Sequence, residues 1–386
     1  MKAIRADDLA ARLRPLFEEN FEHFGELGAA VSVWQDGHSL LEIRGGFRDA
    51  HRERPWTDET IVLFWSATKG LGSACLLHVL QEHSIGLEKP VADFWPEFAQ
   101  SGKESITLAQ LLSHQAGLAA LDQSADITNH AEVIRALETQ APLWPPGSAH
   151  GYHARTFGFL LDELVRRIDG RTLGTYWREI FAEPLALDLW IGLPQEENER
   201  TATIYAAKAK GTPSEDFYRA LATPGTLQRC VFTSPHGLHA ISAMNEPANR
   251  AHSLVSLGGI GSARSLARFY ALLANNGELD GQRYFSAKTI DRMTTTLTSG
   301  IDRVFTIPTA FSAGFMKDPP KANRRIFGPS DSAFGHPGAG GSHAFADPEN
   351  RLSFAYVMNQ MEQQVLPNEK SLRIVDELYR HLQPDR

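Results

Sequence analysis

Residues 61–69 read Ile61-Val-Leu-Phe-Trp-Ser66-Ala-Thr-Lys69, a short apolar run that delivers a serine to the start of a helical pattern. From Ser66 to His83 the apolar positions Leu71, Ala74, Cys75, Leu77 and Leu80 recur at helical spacing. A serine at a helix start is ordinarily an N-cap, and its usual companion three residues on is Glu or Gln. Here the companion is Lys69, whose cation meets the positive end of the helix dipole, a local cost with no structural return. The cost makes sense if the amine is to lose its proton. Desolvation at a helix N-terminus lowers a lysine pKa, and a neutral amine can take the proton of a neighbouring serine hydroxyl. The i, i+3 spacing sets the two side chains on one face, and no other Ser-x-x-Lys occurs in the chain.

Upstream, residues 1–21 (MKAIRADDLAARLRPLFEENF) form a charge-studded amphipathic helix pattern without an apolar signal core. Gly28 to Phe47 alternates apolar residues about Asp36-Gly37, which predicts a hairpin with a type I′ turn. Downstream, residues 67–220 are mostly helical in pattern, with helices expected at Leu108 to His114 and at Phe157 to Arg167 before Gly170. Lys208 to Cys230 has no clear period. A glycine-dense segment, Leu257-Gly-Gly-Ile-Gly-Ser262, precedes a helix over Ser265 to Asn275; strand-like runs follow at Ala344 to Ala346 and Arg351 to Met358, and a helix over 370–382 closes the chain. Strands, helices, strands and a last helix imply an α+β protein. Its expected build is one mainly antiparallel sheet covered by the first and last helices, with a mostly helical domain inserted. The expected boundaries are 1–65 with 225–386 for the sheet domain and 66–224 for the helical one, with the site between them.

Two further segments carry side chains suited to chemistry. In Trp144-Pro-Pro-Gly-Ser-Ala-His-Gly-Tyr152-His-Ala154 a rigid loop presents a tyrosine able to pass a proton, although an ordinary half-buried tyrosine gives the same pattern. In Phe334-Gly-His336-Pro-Gly338-Ala339-Gly-Gly-Ser342 the glycines imply close backbone approach to a strand or a substrate. Backbone N–H groups of this segment can complete an oxyanion hole with that of Ser66. His336 and Gly338 are candidates to line the pocket, as are Trp65 and Trp144, whose alternative is core packing.

The ordered set Ser-x-x-Lys, a tyrosine after Pro-Pro-Gly and a His-x-Gly strand resembles the serine β-lactamase-like superfamily, and within it the class C β-lactamase-like, or family VIII, carboxylesterases. Leu111-Leu-Ser-His-Gln-Ala-Gly117 and Gly258 to Phe269 also look like that family's flanking segments. The resemblance implies Ser66 as acylated nucleophile, Lys69 as its activating base and Tyr152 as acid/base, with the N–H groups of Ser66 and Ala339 as the oxyanion hole. Which of Lys69 and Tyr152 takes the first proton is left open. Two departures matter. Ala154 stands where the β-lactamase pattern has asparagine, and His336-Pro-Gly338 stands in place of Lys-Thr-Gly. A neutral histidine is a poor anchor for a β-lactam carboxylate, so both changes favour an uncharged ester. A β-lactamase, a D-amino-acid peptidase or amidase, an acyltransferase and a silent penicillin-binding-like protein are the alternatives on the same site.

The 386 residues carry a net charge of −8, with 42% hydrophobic and 22% charged residues, the balance of an ordinary globular protein. No basic run interleaved with aromatics points to nucleic acid, and no apolar run is long enough to span a bilayer. With the resemblance, a small-molecule ester is the expected partner; the cytoplasm is the expected location, with no cofactor and the oligomeric state open. Cys75 and Cys230 both read as core residues. The pairs His150/His153 and His236/His239 lack the companion ligands of a metal site. No Gly-x-Ser-x-Gly elbow or phosphate-binding loop is present.

Overall fold

The computed structural model describes residues 6–208, 216–322 and 324–382. Strands β1 (Gly28–Gln35) and β2 (His38–Gly46) form the expected hairpin, and Asp36 and Gly37 hold φ of 54° and 78°. Two consecutive left-handed residues are what a type I′ connection requires. The short strands β3 (Val62–Leu63), β4 (Leu189–Ile191) and β5 (Gly259–Gly261) make a three-stranded sheet in the order β3-β5-β4. Then β6 (Thr298–Ile301), β7 (Pro308–Phe311), β8 (Met316–Lys317), β9 (Phe334–Gly335), β10 (His343–Asp347) and β11 (Leu352–Met358) complete the main sheet. Its eight strands run β2-β1-β11-β10-β9-β8-β7-β6, antiparallel throughout.

The period-two alternation of these strands decides which helix covers which face. Val31 lies opposite Tyr356 and Val33 opposite Phe354, and this face meets α1 (Ala6–Glu22) and the closing helix. There the Tyr356 hydroxyl donates to Glu26 and accepts from Asn20, while the Phe345 ring stacks on Tyr379. The interior is filled by α2 (Thr68–Glu82), buried on every side from Thr68 to Leu80, and by α3 (Thr156–Asp169), which ends on Gly170 at φ 93°. Apolar side chains circle α2, as a core helix requires, with Lys69, Ser73 and His78 buried among them. The opposite face of the sheet meets α4 (Ala263–Ala274), where the Ser353 hydroxyl donates to the Ala267 carbonyl and Arg268 lies over Trp34. The closing helix is α5 (Glu369–Leu382), tied to α1 by Arg373 on Glu19 and Asn20.

The glycines near residue 259 have a packing reason. A Cβ on Gly259 would stand 2.5 Å from the Phe64 ring and 2.6 Å from Thr68 Oγ1. Its amide donates to that same oxygen at 2.8 Å, and its carbonyl accepts from Phe64 N at 3.0 Å. Strand β5 therefore clamps the segment that carries Ser66. β4 falls within the stretch read as helical and pairs with β5, so the small sheet joins the two stretches expected as separate domains.

Several expectations change. The helix expected from Ser265 begins at Ala263, because the Ser262 hydroxyl caps it by accepting from Ser265 N. Cys75 is buried as expected, but Cys230 is exposed. It sits on the short helix Leu227–Thr233, which turns Gln228 and Val231 inward instead. Residues 1–5 of the opening pattern, 209–215 of the aperiodic stretch and 383–386 of the sheet domain lie outside the described residues. Among the described residues no helix is long and apolar enough to cross a membrane.

The hairpin turn gives a direct test. Gly37→Ala puts a Cβ on a residue at φ 78°, with Leu279 Cδ1 3.3 Å away, and should cost about 1–2 kcal/mol in urea denaturation. An unchanged midpoint would contradict the turn.

Candidate active site

Strand β3 leaves the small sheet through Phe64 and Trp65, and Trp65 holds φ of 49°, a costly conformation for a bulky residue. The kink turns the chain through a single 3₁₀ turn, Trp65–Ala67, before α2 starts at Thr68. Ala67, not Ser66, occupies the N-cap of α2, and no side chain caps it. The Ser66 hydroxyl is thereby free of the capping duty its position suggests. Trp65 is buried, and its indole N–H has no acceptor among the described residues.

Lys69 is fully buried, and its Nζ has three polar neighbours. It donates to the carbonyls of Ala154 and Ser256, both at 2.8 Å, and lies 3.2 Å from Ser66 Oγ. No carboxylate pairs with it among the described residues. Burial, and then the Arg155 cation, hold its pKa well below the usual lysine value. The lowered pKa keeps the amine neutral down to a pH well below the ordinary lysine range, and protonation sets in only beneath it. A neutral amine has two N–H groups for two carbonyls, and its lone pair then faces the Ser66 hydroxyl. Ser256 is itself fixed, since its hydroxyl accepts from Gly158 N at 2.6 Å and donates to the Arg155 carbonyl at 3.0 Å.

Tyr152 is buried beside this pair. Its ring lies under Lys69 Nζ at 4.9 Å and stacks on Phe305 at 4.7 Å between centroids. Burial drives its pKa above the ordinary phenol value, a hydrogen bond with Ser66 opposes this, and the Asp302 charge adds to it. Asp302 lies fully buried behind the loop. Its Oδ1 accepts from the amides of Tyr152 at 3.2 Å, Val304 at 2.7 Å and Phe305 at 2.9 Å. One carboxylate oxygen thus fixes Tyr152 and the ring stacked on it. Thr309 Oγ1 lies 3.3 Å from Oδ2 and bonds His150 Nε2 at 2.9 Å, extending the network under the loop.

Trp144 also holds this loop. Its indole N–H donates to the Ala149 carbonyl at 3.1 Å, and its ring stands 2.8 Å from where a Gly151 Cβ would be. The side chain is buried, so the structure spends it on loop packing. His153 accepts from Leu118 N at 2.9 Å and donates from Nδ1 to the Gly151 carbonyl at 2.7 Å, a fixed neutral tautomer whose pKa burial pushes to about 4.

The glycine-rich segment closes the site. A Cβ on Gly338 would lie 2.1 Å from the Phe64 carbonyl oxygen, so only glycine lets this strand end approach the turn before Ser66. The amides of Ser66 and Ala339 donate no hydrogen bond among the described residues. His336 is buried 5.8 Å from the Tyr152 ring, donates from Nδ1 to the Pro337 carbonyl at 2.8 Å and leaves Nε2 without a partner among the described residues. Burial, then the nearby Lys69, push its pKa to about 3, so it is neutral.

The structure brings Ser66, Lys69, Tyr152, His336 and the 338–339 turn together, while Trp144 stands behind the loop. Sequence reasoning misses Ser256 and Asp302. Ser256 meets Lys69 through a backbone carbonyl, and Asp302 meets Tyr152 through a backbone amide, so neither leaves a motif.

A serine beside a buried lysine and tyrosine, on an antiparallel sheet flanked by terminal helices, defines a class of serine hydrolase. Residues 17–377 match the Beta-lactamase family, and the chain belongs to it. Esterase/beta-lactamase LipL of Mycobacterium tuberculosis is 30% identical over 353 residues, covering 86% of this chain and 77% of that protein. A penicillin-binding protein homologue from Caulobacter crescentus superposes with TM-score 0.87 at 36% identity, over 98% of this chain and 99% of that one. A family VIII carboxylesterase superposes with TM-score 0.86 at 34% identity, over the same shares. The protein is thus a β-lactamase-fold serine hydrolase with esterases among its relatives.

Asp302→Ala leaves three amides without their acceptor and should cost about 2–4 kcal/mol in chemical denaturation. Asp302→Asn, which keeps an acceptor oxygen, should recover most of the loss. Equal stability of Asp302→Ala and the parent would remove Asp302 from this role.

Proposed function

We propose that this protein is a carboxylesterase that cleaves uncharged esters of short to medium acyl chains through an acyl-enzyme on Ser66. The Lys69 amine carries the reading: buried, without a carboxylate, and with the Ser66 hydroxyl as its remaining neighbour. Lys69 takes the hydroxyl proton as Ser66 Oγ bonds to the ester carbon. The charge that develops on the carbonyl oxygen falls to the amides of Ser66 and Ala339. As the intermediate collapses, the bond to the alcohol oxygen breaks, Tyr152 hands its proton to that oxygen, and Lys69 returns one to Tyr152. Water then attacks the acyl-enzyme through the same relay, releasing the carboxylic acid and restoring Ser66.

An ester rather than a β-lactam is supported by Ala154, where the β-lactamase pattern has an amide. It is supported also by His336, which burial keeps neutral and unable to anchor a carboxylate. Tyr152 serves as a phenol in this scheme, since burial and Asp302 both oppose the phenolate. The amine is therefore the first base.

The test runs p-nitrophenyl acetate and butyrate beside nitrocefin, with intact-mass detection of the acylated chain. The expected result is ester turnover that Ser66→Ala lowers at least about a thousandfold, with the acyl mass on Ser66. Full activity in Ser66→Ala overturns the nucleophile, and nitrocefin turnover on a par with the esters overturns the preference.

A further inference from the structure

A cleft of about 560 Å³ lies beside the ring that packs on the tyrosine loop. One wall is Phe305, whose ring stacks on Tyr152 at 4.7 Å. Facing it are Val365 and Leu366, in the segment whose Gln364 carbonyl accepts from Gly340 N at 2.8 Å, next to the Ala339 amide. Phe217 closes the cleft edge-on against Phe305, with centroids 5.6 Å apart, and Ile307 stands at its mouth, 39% exposed. Among the described residues that line it, Asp216 is the one charged side chain and no cation is present. The space therefore suits an uncharged apolar group and repels an anion.

Its place tells which half of the substrate it takes. The group that protonates the leaving oxygen must stand beside that oxygen, and Tyr152 has that task in the reading above, on which this inference rests. Phe305 is the next ring beyond Tyr152. We infer that the Phe217–Phe305–Leu366 cleft binds the alcohol half of the ester, and that the protein acts on esters of medium-sized apolar alcohols. The acyl half lies elsewhere, and selectivity for the alcohol is set before the acyl-enzyme forms, because the alcohol leaves in that step.

Two ester series separate the halves. In acetates of ethanol, butanol and hexanol, kcat/KM should rise about threefold per methylene that enters the cleft. Leu366→Trp, which fills the space, should flatten that rise by at least tenfold at hexyl acetate, and Ile307→Glu should weaken it in the same direction. Methyl esters from acetate to hexanoate should keep their native order in both variants, and circular dichroism checks their folding. A flat alcohol series in the parent protein, or variants that shift the acyl series as much as the alcohol series, overturns the assignment while leaving the esterase reading intact. Failure to turn over any ester overturns the esterase reading, and this one with it.

Discussion

A lysine amine buried with no counter-ion among the described residues is the constraint around which the rest of this protein is arranged. A charged ammonium left unpaired in a protein interior costs several kcal/mol, so the fold has to make the neutral amine the favoured form. Two carbonyls, from Ala154 and Ser256, consume its two N–H groups. Arg155, the residue after Ala154, adds a positive potential that further disfavours protonation. Those carbonyls stand 102 residues apart in the chain (154 and 256), one at the end of the tyrosine loop and one ahead of β5. The amine is thus also the point where the two halves of the site are registered to each other.

Rigidity comes from close backbone contacts. Phe64 is held between Gly259, which has no room for a Cβ against its ring, and Gly338, which has none against its carbonyl. Gly158 approaches the Ser256 amide and hydroxyl with similar closeness. These three glycines fix the strand ahead of Ser66, the 338–339 turn and the Lys69 acceptor. On the other side Asp302 holds Tyr152 and Phe305 with a single oxygen. A site built in this way loses little energy to reorganisation when charge develops on the substrate.

Much of this was legible in the residues. Ser66, Lys69 and Tyr152 stand out because their side chains are suited to chemistry and the spacing of the first two breaks a local rule: a lysine where a capping box wants a carboxylate is a visible anomaly. The hairpin at Asp36-Gly37 and the alternating β11 were equally plain, since turn chemistry and period are local. What escaped is what depends on contacts distant in the chain. Ser256 and Asp302 act on main-chain groups, and Cys230 sits on a helix whose inward face only packing defines. His336, a candidate to line the pocket, stands beside the Tyr152 ring, and burial keeps it neutral against the Pro337 hydrogen bond that would favour its cation.

The claim that Lys69 is a neutral amine in the resting protein is tested most directly by NMR of ¹³Cε-labelled lysines across a pH titration. The account predicts one lysine resonance, absent in Lys69→Arg, already at the neutral-amine shift at pH 7. A Lys69 resonance still at the ammonium shift well above pH 7 would contradict it.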